Sequence, residues 1–176
     1  MLAFASNAQL KYPETDKSPL DECYFPNNYP LLKIQGKATE PLVARVIYSR
    51  PQKNNRVVFG ELIEYDKLWR LGANEATEIE FFQNVKIGGT TVKKGRYTMY
   101  CIPTEKKWTI VINKDTDIWG AFLYNPKKDV ARVDVPVEKT EEVVETFSML
   151  FDKTKGGCTL NIAWDNVKAS LPITLQ

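Results

Sequence analysis

The residues able to do chemistry are concentrated between Tyr48 and Asn74, in YSRPQKNNRVVFGELIEYDKLWRLGAN. Arg50, Arg56 and Arg70 each stand beside apolar or aromatic residues. A guanidinium flanked in this way is partly withdrawn from water and needs a partner. Three converging forks with Asn74 would suit a carboxylate, a phosphate or a sulfated sugar, because a planar guanidinium binds two oxygens at once. The competing use is internal, with the arginines holding Glu61, Asp66, Glu75 or Asp129 and pinning loops. The two uses are separable. An anion site requires a concavity beside guanidinium groups that hold no protein carboxylate. On the first use, the WRLGAN loop at 69–74 lines a cleft at one edge of the fold.

Three other groupings could carry a function. Trp69, Trp108, Trp119, Tyr124 and Trp164 could stack against sugar rings. Alternation within strands assigns most of them to the core, and Trp69 and Trp119, next to loop signals, are the two expected at a surface. Asn113, Asp115 and Asp117 in NKDTD are oxygen donors at alternate positions, a weak calcium-loop pattern. Its glycine comes late, at Gly120, and no glutamate closes it, so the pattern reads better as a solvated turn. Glu61 with Glu75 or Glu78 could serve as an acid and base pair in glycoside cleavage, although glutamates alternating along a strand are the ordinary solvent face. The expected ligand-binding set is therefore Arg50, Arg56, Trp69, Arg70, Asn74 and Trp119. No catalytic residue, metal ligand or cofactor is assigned.

Composition removes several classes of function. The 176 residues contain no histidine. That excludes Ser-His-Asp and Cys-His nucleophile systems and His-based zinc sites. A net charge of +2 gives no case for nucleic acid. Cys23, Cys101 and Cys158 lack metal or redox spacing. Cys101 and Cys158 lie in strand-like runs, where a thiol acts as a small apolar group; one disulfide with one free thiol is the other reading. The apolar stretch in the opening MLAFASNAQL is too short to span a membrane. Small residues in ASNAQ match a signal-peptidase site before Gln9, so residues 1–8 read as a signal-peptide remnant or as a ragged terminus.

The elements that must position these residues are mostly strands. Residues 9–30, rich in Pro, Asn and Lys, read as an extended arm, and 31–176 as one domain. Strand patterns occupy 42–49, 57–65, 76–82, 96–102, 108–113, 119–124, 130–137, 158–164 and 167–173. Gly88-Gly89 and Asp165-Asn166 mark tight hairpins. Residues 140–157 read two ways. Thr140 and Gly156 could cap a helix with Val143, Val144, Phe147, Leu150 and Phe151 on one face. A period of two instead groups Val143, Phe147, Met149 and Phe151, and the surroundings favour a strand over the second half. The expected fold is all-β, a single-domain antiparallel β-sandwich (jelly-roll-like) of about ten short strands with at most one short helix.

The order of motifs carries a resemblance. RP at 50–51, FGEL at 59–62, WRLGANEAT at 69–77, GRYTMYCIP at 95–103, WTIVIN at 108–113, WGAFLYN at 119–125, DVARVDV at 129–135 and the closing LNIAW and LPI occur together. In these the chain resembles the bacterial domain-of-unknown-function family 2911, over roughly 43–173. The resemblance implies an exported, β-rich bacterial protein, periplasmic or extracellular. It brings no activity, cofactor or catalytic residue. The functional expectation is a binding module for a small anionic ligand, glycan or partner protein. A carboxylate-dependent hydrolase acting on glycans and a purely structural module stand as alternatives.

Overall fold

The computed structural model describes residues 10–176. The signal-peptide reading of residues 1–8 lies outside them. The elements are β1 (Leu20–Phe25), a short helix α1 (Tyr29–Ile34), β2 (Ala44–Ser49), β3 (Glu78–Phe81), β4 (Val85–Ile87), β5 (Thr90–Val92), β6 (Gly95–Pro103), β7 (Lys107–Asn113), β8 (Asp129–Thr154) and β9 (Gly157–Leu175). Every ladder between them is antiparallel, and the hydrogen-bonded order is β1-β2-β3-β6-β7-β8-β9-β4-β5. The all-β class and the single short helix agree with the strand pattern read from the sequence.

Two long elements double this sheet over. β9 folds back at Asp165, which is left-handed (φ 56°). Leu175 N donates to Gly156 O at 2.9 Å, and Ser170 Oγ reaches Asn161 Oδ1 at 2.8 Å across the two legs. The hairpin expected at Asp165-Asn166 is therefore present inside β9. β8 wraps around its tip. Residues 137–139 pair with 167–169 on one leg, Val144 faces Asp165, and 148–154 pair with 157–163 on the other leg. Because the legs run in opposite directions, β8 reverses too, and its register shifts twice on the way. The second layer thus lies over β1, β2, β3, β6 and β7. Tyr48 meets Phe147 (ring centroids 5.8 Å apart) and Phe25 meets Phe151 (6.0 Å) across the core.

Alternation decides which side chains enter this core. Tyr97, Met99 and Cys101 on β6 and Trp108, Ile110 and Ile112 on β7 point in. Tyr100 and Val111 point out and form a second, smaller cluster with Ala76. Leu68, Ile118, Ala121 and Tyr124 cover that cluster, so one segment of the outer face carries its own apolar floor.

The departures from the expected strands have physical causes. Nine strands occur among the described residues, close to the ten or so expected, but β8 and β9 are long rather than short. Residues 57–65 are turns closed by short-range hydrogen bonds such as Ile63 N to Val58 O at 2.8 Å and by a Phe59–Ile63 bridge, with positive-φ Gly60 (φ 96°) inside the run. WGAFLY at 119–124 is also a loop, because both edges of β7 are already taken by β6 and β8. It crosses the outer face instead. Residues 140–154 are strand throughout, not only in their second half. The proposed helical face would have buried Val143 and Leu150, which are exposed, whereas Phe147, Met149 and Phe151 are buried at period two. The arm at 9–30 is more ordered than expected, since Leu20–Phe25 pairs with β2 and Tyr29–Ile34 is helical, with proline in its first turn.

The three cysteines are free thiols. Burial pushes Cys23 and Cys158 up to about 12 and raises Cys101 well above its ordinary value, so none is a ready nucleophile. No described helix is long and apolar enough to cross a membrane.

Candidate functional site

The three arginines have three different fates. Arg50 is fully engaged. Its Nη1 donates to Asp21 Oδ2 at 2.8 Å, its Nη2 to Ser148 Oγ at 2.9 Å and its Nε to Phe147 O at 3.2 Å. It therefore ties the chain after β2 to β1 and to the second layer. Arg50→Ala is expected to cost about 2 kcal/mol in urea denaturation, since it strips one ion pair and leaves the Phe147 carbonyl without its guanidinium donor. Arg56 is exposed and closes its own turn, donating from Nε to Lys53 O at 2.8 Å. Arg70 is different. Its side chain makes no hydrogen bond or ion pair among the described residues, and its Nε is buried without a partner. Withdrawal from water pulls its guanidinium below the ordinary value, with no carboxylate acting against that shift. Arg132 is the contrast, raised by hydrogen bonds to Asp129 and Tyr124.

Strand alternation aims Arg70. Trp69 N donates to Cys101 O at 2.7 Å and Trp69 O accepts from Cys101 N at 2.9 Å, so this segment runs beside β6. Trp69 turns inward, where it is 5% exposed and bonds Gly72 O through Nε1 at 3.0 Å. Leu68 and Arg70 consequently turn outward. They line a cavity of about 350 Å³ with Leu62, Ile63, Glu64, Lys67, Ala121 and Phe122. That volume falls within the roughly 300–1,000 Å³ common for small-molecule sites.

The far wall is the 118–123 loop. Ala76 N donates to Ile118 O at 2.8 Å and Gly120 N to Asn74 O at 3.0 Å, which fastens this loop to the WRLGAN loop. Its other end is held by Tyr124, whose hydroxyl donates to Asp129 Oδ2 at 2.6 Å while Arg132 binds both groups. Gly120 is left-handed (φ 67°), and Phe122 Cε2 lies 2.6 Å from where a Cβ would stand. Only glycine lets the Phe122 ring fold back over this point.

The expected site residues are therefore dispersed. Arg70 lines the cavity with Trp69 beneath it, while Arg50 and Arg56 lie elsewhere. Asn74 donates from Nδ2 to Asp16 Oδ1 at 3.0 Å and does not line the cavity. Trp119 is 61% exposed on the same loop as Phe122, outside the cavity lining. Phe122, Lys67, Leu62 and Leu68 were missed. Only the glycine in WGAFLY, followed by Asn125-Pro126, hinted that an apolar run was a loop.

The other groupings are internally committed. Glu78 lies 3.4 Å from Arg96 and accepts from Asp117 N at 2.6 Å, while Glu61 and Glu75 are exposed. Asn113 Oδ1 accepts from Asp115 N at 3.0 Å, Asp115 holds Lys128 at 2.5 Å and Asp117 holds Arg96 at 2.5 Å. The NKDTD oxygens thus build a turn. No cluster of acidic and cysteine side chains suited to a metal occurs among the described residues.

Fold and cavity together define an all-β antiparallel protein with an unpaired arginine in an open, half-apolar cleft on its outer face. The chain belongs to the family described as Protein of unknown function (DUF2911), whose family model matches residues 32–173. No curated protein and no solved structure gives a match.

Proposed function

We propose that this protein is a binding module that takes a small anion at the Arg70 cavity. One observation carries the reading: a partly buried guanidinium that forms no ion pair among the described residues, and whose Nε is unpartnered, lines a concave site. Leaving a buried charged donor unsatisfied costs roughly 1–3 kcal/mol or more, and an incoming carboxylate or phosphate oxygen would recover it. Lys67 adds a second positive charge to the lining. The small-residue run at 5–9 supports export, so the ligand would be met in the periplasm or outside the cell. A hydrolytic role has less support, because Glu78 is already engaged by Arg96 and Asp117.

The test is a thermal-shift and calorimetric series with acetate, citrate, phosphate and sulfate. Arg70→Ala should fold normally and lose about tenfold or more in affinity for whichever anion binds. Arg56→Ala, which alters only a surface turn, should bind like the parent. Equal binding by Arg70→Ala and the parent would remove this cavity from the function.

A further inference from the structure

The Arg70 cavity is built for more than charge. The lining carries two cations, Arg70 and Lys67, and one carboxylate, Glu64, so its net charge complements a single negative charge better than a dianion. The rest of the wall is Leu62, Leu68, Ala121 and Phe122. The apolar surface also continues past the cavity. Phe122 is 85% and Leu123 77% exposed at the loop tip, although the loop beneath is firmly held by Tyr124 and by the 74–76 segment. Large apolar side chains held in water on an anchored loop mark a contact surface.

We propose, resting on the anion-binding reading above, that the ligand is an amphipathic monocarboxylate. Its carboxylate takes Arg70 and its alkyl or aryl body lies against Leu62, Leu68 and Phe122. A charged head at a half-buried guanidinium and an apolar body on an exposed ring satisfy both features of the site at once. A bilayer surface fits less well. Lys128, which follows the apolar tip, is held by Asp115 at 2.5 Å, and the site's cation sits inside a concavity and not on a collar around the loop.

The experiment is calorimetry of the full chain with sodium butyrate, hexanoate and octanoate below their micellar concentrations. Inorganic phosphate, octyltrimethylammonium and phosphatidylglycerol vesicles complete the panel. Affinity should rise about two- to fourfold per added methylene as the chain covers apolar wall. Arg70→Gln should weaken octanoate binding about tenfold or more. Phe122→Ser, a change at an exposed position, should flatten the chain-length dependence. If phosphate or butyrate binds as tightly as octanoate, the amphipathic inference fails and the anion site stands. If octyltrimethylammonium equals octanoate, or if no anion binds, both fail. Vesicle binding that survives Arg70→Gln while octanoate is inert assigns the loop to a membrane surface and overturns the inference.

Discussion

Trp69→Ala is expected to lose about 3–5 kcal/mol of stability, a large share of the roughly 5–15 kcal/mol of an ordinary domain. Trp69 is central to an aromatic cluster in the main core. Its ring lies 5.3 Å from Phe147, 5.9 Å from Phe59, 6.0 Å from Trp108 and 6.2 Å from Trp164, most of them edge to face. Truncation opens a cavity between two layers that cannot close, because β6 on one side and β9 on the other are each fixed by their ladders. It also removes the indole donor to Gly72 O. Trp119→Ala, on the exposed loop, is expected within about 0.5 kcal/mol of the parent. Urea denaturation of the two variants side by side measures the difference. Similar losses for both would mean that Trp69 is not the core residue its surroundings make it.

Gly157→Ala should be the second large effect, about 3 kcal/mol or more. A Cβ at Gly157 would stand 2.0 Å from Ile173 O and 3.0 Å from Thr174 Cα. Both atoms are backbone, so no side chain can swing aside. The close approach arises where the two legs of β9 meet at their open end, next to the Leu175 to Gly156 hydrogen bond. Relief requires the legs to part there, which also loosens β4, paired with Thr174 and Leu175. Thermal melting combined with amide exchange at 156–175 reads the outcome. A variant with unchanged melting and protection would show that these legs are not locked together as described.

The sequence legibly contained the strand-forming half of this protein. GRYTMYCI and WTIVIN read as strands, as found. The Asp165-Asn166 turn was readable from its residue types. Residues 140–154 were harder, because the same side chains satisfy a helical stripe and a strand face. Burial of Phe147, Met149 and Phe151 against the facing layer resolved them. The WGAFLY run was misread as a strand because composition reports what could pair, not whether an edge is open to pair with.

The site divides in the same way. The sequence by itself determined the chemistry available: no histidine, near-neutral charge, three arginines and one tryptophan in the 48–74 stretch, and the motif order that marks the family. Which arginine is left without a protein partner among the described residues was decided only by tertiary structure. Arg50, Arg56 and Arg70 look alike in their local sequence, yet one staples two layers, one closes a turn and one faces a cavity. The residues responsible for the first and the last, Asp21, Phe147 and Ser148 in one case and the Phe122 loop in the other, lie 29 to 98 residues away from Arg50 or, for Arg70, beyond β6 and β7 along the chain. A guanidinium's role is set by which oxygens the fold delivers to it, and that delivery depends on long-range strand order that no local pattern encodes.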